Sequence, residues 1–96
     1  MEFSFNSDSV VTTSFNADSS VAFIIASNYS RRLLTIYNSS QEGILIGFGF
    51  PPTTDSFTLR LFGNMYYETP IPVYTGIIWG KFETVGPGGI NVNEFS

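Results

Sequence analysis

The sequence predicts an all-β protein, a single antiparallel β-sandwich or β-barrel, jelly-roll-like, with about seven or eight short strands. Three observations carry this. Short runs of β-branched and aromatic residues alternate with Ser, Asn, Asp, Gly and Pro clusters from one end to the other. No window of about twelve or more residues holds a 3.6-residue apolar stripe free of Gly, Pro and β-branched crowding. A chain of 96 residues supplies one hydrophobic core, because halves of it would fall near the size that needs disulfides or metals.

The elements follow in order. Strands are expected near Val10–Phe15, Val21–Ser27, Arg32–Asn38, Ile44–Phe50, Phe57–Phe62, Val73–Phe82 and Ile90–Phe95, with a shorter one at Met65–Glu68. The period of two assigns their faces. Val21, Phe23 and Ile25 oppose Ala22, Ile24 and Ala26, so both faces of that strand are apolar. Leu34 and Ile36 oppose Leu33, Thr35 and Tyr37. Ile44, Ile46, Phe48 and Phe50 oppose Leu45, Gly47 and Gly49. Phe57, Leu59 and Leu61 are expected to face the core against Thr58 and Arg60. In the long strand, Val73, Thr75, Ile77 and Trp79 oppose Tyr74, Ile78 and Phe82. A sandwich whose outer faces carry Leu, Ile and Tyr is expected to oligomerise or dock, since outer faces of a free monomer are polar.

Ahead of this β-domain, assigned to residues 10–96, residues 1–9 are expected to form an extended N-terminal arm. Phe5-Asn6-Ser7-Asp8-Ser9-Val10 returns ten residues later as Phe15-Asn16-Ala17-Asp18-Ser19-Ser20-Val21. Asn, Asp and Ser bond nearby backbone, so the repeat reads as two successive turns.

Composition excludes more than it names. The chain has no His and no Cys, yet its ten Phe, five Tyr and one Trp supply burial and interface area. Without Cys there is no disulfide, thiolate zinc site or iron–sulfur cluster; without His, zinc and copper lose their usual ligand. A net charge of −4 opposes nucleic acid, which demands clustered Lys and Arg. The positives are Arg31, Arg32, Arg60 and Lys81, and only the first two adjoin. The start has no basic region or long apolar run, and Val21–Ala26 and Ile77–Trp79 fall far short of a membrane span. A soluble protein made in the cytoplasm is expected, with no membrane partner.

The residues that might carry chemistry read as structural. Glu2, Asp8, Asp18, Glu42, Asp55, Glu68, Glu83 and Glu94 fall mostly at turns or strand ends and form no recognisable pair for glycoside hydrolysis. Asn6/Asp8 and Asn16/Asp18 offer oxygen ligands but lack the acid count and closing Glu of an EF-hand. Serine has no histidine to activate it, and Lys81 beside Glu83 reads as a surface charge. Gly47-Phe48-Gly49 reads as strand glycines admitting close approach, and Gly86-Pro87-Gly88-Gly89 as a turn, neither opening a helix. No enzyme activity, cofactor or metal is expected. The prolines of Phe50-Pro51-Pro52 and Thr69-Pro70-Ile71-Pro72 mark stiff loops or edge protection. The aromatic residues Phe3, Phe5, Phe48, Phe50, Tyr66, Tyr67, Tyr74 and Trp79 are the candidate partner interface, against core packing as the alternative for each.

The second half carries a likeness. Arg31–Gly49 (RRLLTIYNSSQEGILIGFG), Phe57–Phe62 (FTLRLF), Pro72–Phe82 (PVYTGIIWGKF) and Gly89–Phe95 (GINVNEF) follow one another in a recurrent order. A strand ending in Asn leads by a hairpin into an Ile-Gly strand. A Leu-bearing strand, a Tyr-Thr-Gly-Ile strand and a closing Val-x-Glu strand come after it. This order, from about Arg31 to Phe95, resembles small all-β virion proteins of tailed bacteriophages, of the capsid decoration or cement type.

The resemblance implies a β-sandwich or barrel on the capsid surface that bridges subunits of the major capsid protein and associates with itself, often as a homotrimer. The positions carried over are structural: Asn38, Gly47, Gly49, Tyr74, Gly76 and Glu94. The low charge here departs from that family, leaves capsid contacts mostly apolar and hydrogen-bonded, and suits permanent assembly better than a transient encounter. A head–tail or tail component, or a carbohydrate-binding β-module, is the alternative.

Overall fold

A computed structural model describes residues 10–16, 22–84 and 86–96, and these form eight strands. They are β1 (Val10–Asn16), β2 (Ala22–Ile25), β3 (Leu33–Asn38), β4 (Ile44–Phe48), β5 (Leu59–Leu61), β6 (Tyr66–Glu68), β7 (Ile78–Phe82) and β8 (Gly89–Phe95). One sheet has the order β1-β8-β3-β6 and the other β2-β7-β4-β5, with every pairing antiparallel.

The pairings nest. β4 pairs with β5, β3 with β6, β2 with β7 and β1 with β8, as in one long hairpin. That hairpin is rolled until β8 meets β3 and β7 meets β4, which splits it into two sheets. An eight-stranded ribbon rolled in this way is a jelly roll. Of the sandwich and the barrel left open by the sequence, the sandwich is the architecture found.

Between the sheets lie Ile24, Ile25, Leu34, Ile36, Ile44, Ile46, Leu61, Ile78, Phe82, Ile90 and Val92. Each sits where a period of two puts an inward residue, except at β2, where a register shift between Phe23 and Ile25 turns two successive isoleucines into the core. Burying each such side chain contributes about 1.5–3 kcal/mol.

Several expected strands are longer than those found. The stretch Val73–Phe82 is strand only from Ile78; residues 73–77 run as a half-buried loop. The cause is Arg31, whose guanidinium takes the carbonyls of Tyr74 and Gly76 at 2.7 and 3.1 Å, so that these groups serve a side chain instead of a ladder. Phe57, expected in the core, precedes β5 and is exposed. Leu45 points outward, yet only 3% of it is exposed within a single chain. Its register neighbours are Arg60 and Lys81, whose long stems shield apolar surface. Leu45 thus needs no second molecule to cover it. The expected arm over residues 1–9 and the turn at residues 17–21 lie outside the described residues.

Two buried polar centres lock the roll. Arg31 Nε donates to Glu94 Oε2 at 2.7 Å, and Nη2 donates to the carbonyl of Ala26 at 2.7 Å. One guanidinium therefore ties β8 to the end of β2 and to the approach to β7. Asn38, fully buried at the end of β3, donates from Nδ2 to the carbonyls of Glu42 and Leu61 at 2.7 and 3.1 Å. Its Oδ1 accepts from the Ser40 backbone N–H at 3.0 Å and the Ser40 hydroxyl at 2.6 Å. Both ends of the amide are satisfied, which is the condition for burying it.

Candidate functional site

The six described aromatic candidates separate into different places. Phe48 stacks on Tyr74 with ring centroids 5.0 Å apart and an interplanar angle of 15°, and meets Tyr67 edge-on at 6.4 Å. All three pack against the core from one end of the sandwich. Gly49 lies at φ +90, and a Cβ there would stand 2.8 Å from the Tyr74 hydroxyl; one on Gly76 would stand 2.3 Å from it. The two glycines leave room for the tyrosine to fold in. Burial pushes the Tyr67 hydroxyl above its ordinary pKa. This trio is a plug of the roll.

Phe50 is half-buried and belongs to a loop folded back over the outer face of β4. A Cβ on Gly47 would lie 2.1 Å from the Phe50 carbonyl oxygen and 3.3 Å from Pro52 Cδ, so only glycine admits the loop. Trp79 is half-buried on β7, in register with Gly47 on β4 and Phe23 on β2. Phe3 and Phe5 lie outside the described residues. Among the six described candidates, Tyr66 alone is exposed.

The exposed large apolar side chains include Tyr29, between β2 and β3, and a set flanking β5 and β6. Phe57 precedes β5, Phe62 follows it, Met65 precedes β6, Tyr66 lies in it, and Ile71 follows it. Tyr37, on β3, is the register partner of Tyr66. β5 and β6 are the edge strands of their two sheets and are joined by a four-residue turn in which the Met65 N–H donates to the Phe62 carbonyl at 3.2 Å. Asn64, at φ 63, occupies the third position, where such a turn requires a positive φ. The turn brings Phe62, 53% exposed, and Met65, 46% exposed, side by side.

Beside Phe62, the Arg60 guanidinium lies 5.2 Å from the ring centroid. Its Nε donates to Glu83 Oε1 at 3.0 Å, and Nη2 pairs with the other carboxylate oxygen. The Glu83 carboxylate meets the Arg60 charge and holds its pKa above the ordinary value. The edge therefore presents apolar side chains beside a matched ion pair.

A second exposed feature is the outer face of the β1-β8-β3-β6 sheet. Tyr37 and Tyr66 are side by side, Asn91 follows on β8, and the next row reads Asn93, Thr35, Glu68. The Tyr66 hydroxyl donates to Glu68 Oε1 at 3.0 Å. Partial burial and the Glu68 carboxylate raise the Tyr66 pKa.

Phe48, Tyr67 and Tyr74 pack against the core, the alternative the sequence leaves open for each, and Phe62, Met65 and Tyr37 are not among the sequence candidates. The signal for Phe62 was present, since alternation in Phe57–Phe62 puts Thr58, Arg60 and Phe62 on the face away from Leu59 and Leu61. No family model, curated protein or solved structure matches this chain.

Proposed function

We propose that this chain is a structural protein of a virion, a capsid decoration or cement protein that bridges subunits of the major capsid protein. The observation that carries the reading is the exposed Phe62 and Met65 on the turn joining the edge strands β5 and β6, on a domain whose buried Arg31, Glu94 and Asn38 tie it together. Rigidity and a ready apolar contact are what a clamp needs, because little ordering opposes binding. Many copies in symmetric array then add modest contacts into a large stabilisation of the shell. The jelly-roll order supports the reading by fold-level analogy, since this roll recurs in viral capsid domains.

The test is co-sedimentation of the purified chain with emptied heads of the phage that encodes it, wild type against Phe62→Ser/Met65→Ser. Saturable binding in proportion to capsid subunits, lost in the variant, supports the clamp. Binding of a single ring's worth of copies moves the protein to the head–tail junction. No binding by the folded wild type overturns the reading.

A further inference from the structure

We infer that β1 is an interface between two copies of this chain, paired antiparallel, edge to edge, across a two-fold axis. The edge strands of the two sheets differ in what keeps other strands away. β5 and β6 are three residues long and carry Arg60 and Glu68, and Pro70 stands two residues beyond β6. β2 is four residues long and is broken by the register shift between Phe23 and Ile25. Shortness, charge, proline and a bulge are the devices that stop an edge from recruiting another strand. β1 has none of them. Its seven residues, Val10-Val11-Thr12-Thr13-Ser14-Phe15-Asn16, include no charge and no proline, and they pair with β8 without a break. Among the described residues no strand takes the other side of β1, where alternate residues present their N–H and C=O groups.

The same contrast chooses the occupant. Pairing along the whole of β1 needs an edge as long and as open, and among the described strands only β1 of a second copy offers one. A strand paired antiparallel with itself forms an isologous contact, which closes at two copies and leaves nothing to propagate a fibre. The axis then passes through Thr13 and sets Thr12 opposite Ser14 of the partner subunit. No like charges meet within the strand. Asp8 and Asp18, the nearest charges in the sequence, would oppose each other if pairing ran past it, which ends the contact there. A different protein steered by charge would find none on β1. Two four-stranded sheets thus become one, with β6 at each outer edge. Phe62 and Met65 lie on the far side from β1, so the interface stands whether or not those residues meet a capsid.

The experiment is sedimentation equilibrium of the purified chain, with substitutions at Thr12 and Ser14. Their register partners on β8 are Asn93 and Asn91 and not the core residues Val92 and Ile90. Wild type is expected at twice the 10.6 kDa of one chain. Thr12→Lys/Ser14→Lys sets like charges opposite across the axis and should weaken the dimer about tenfold or more. Thr12→Lys/Ser14→Glu sets opposite charges there and should keep it, and Phe62→Ser/Met65→Ser should dimerise as wild type does. Circular dichroism shows that each variant is folded. A wild type that stays monomeric up to its solubility limit would overturn the interface, as would a trimer. Two folded charge variants that behave alike would contradict pairing about Thr13.

Discussion

Arg31 and Glu94, 63 residues apart in sequence, meet across 2.7 Å with the guanidinium wholly buried. The same guanidinium takes three backbone carbonyls, those of Ala26, Tyr74 and Gly76. This one side chain thus determines where the loop before β7 runs. Either Arg31→Met or Glu94→Leu alone should cost about 3–5 kcal/mol, because each leaves buried polar groups or a charge without a partner. The double variant should cost clearly less than the two singles added. Arg31→Lys should not rescue stability, since one ammonium cannot span the fork that reaches four acceptors. Urea unfolding of the four variants against wild type checks all three statements.

Asn38 makes the second lock, and its replacement separates shape from hydrogen bonding. Asn38→Leu keeps much of the volume but strands the Glu42 and Leu61 carbonyls and the Ser40 donors. A loss of about 2 kcal/mol or more is expected. Asn38→Asp should also destabilise, because it replaces the two amide donors with a buried charge facing carbonyl oxygens. Denaturant midpoints measure both.

Gly47 is held to glycine by space. A methyl group there would sit 2.1 Å from the Phe50 carbonyl oxygen, and the obstacle is backbone. Gly47→Ala should therefore displace the loop over β4 and cost about 1–3 kcal/mol. The displacement should appear as amide shifts at Gly49, Phe50 and Thr53, the N–H groups that flank Pro51-Pro52, with the amides of β8 unmoved, in a nitrogen–proton correlation spectrum.

Alkaline pH tests the two tyrosines of β6. Both the Tyr66 and Tyr67 hydroxyls are raised above the ordinary value of 10.0. A group with a raised folded pKa holds its proton more tightly when folded, so its stabilising contribution is whole below the unfolded pKa. That contribution drains away as pH climbs from the unfolded value through the folded one. Stability should be flat approaching pH 10 from below and fall above it. Tyr66→Phe should flatten part of that fall, and tyrosinate absorbance should show two hydroxyls titrating late. A fall complete before pH 10 would contradict the assignment.

The sequence made the strands legible because each buries a face at a period of two, and Leu34, Ile36, Ile44, Ile46, Ile90 and Val92 announce it. Strand ends were less legible, since a side chain remote in sequence sets them: nothing in the stretch Val73–Ile77 reveals that Arg31 will claim its carbonyls. The surface was the least legible. Phe48, Tyr67 and Tyr74 look like interface aromatics until the roll closes around them. Leu45 looks like an exposed leucine until β5 and β7 bring Arg60 and Lys81 to its sides. Phe62 and Met65 come together only through the Gly63-Asn64 turn, whose residues are ordinary turn formers whatever flanks them.

The clamp reading requires that a phage encode this chain, and it is tested most directly by counting the chain in purified virions of its source, by quantitative mass spectrometry against the major capsid protein. A fixed, high copy number in simple proportion to capsid subunits is the result predicted, with Phe62→Ser/Met65→Ser virions carrying far fewer copies and dissociating at lower temperature. Purified virions that contain none of it would contradict the account.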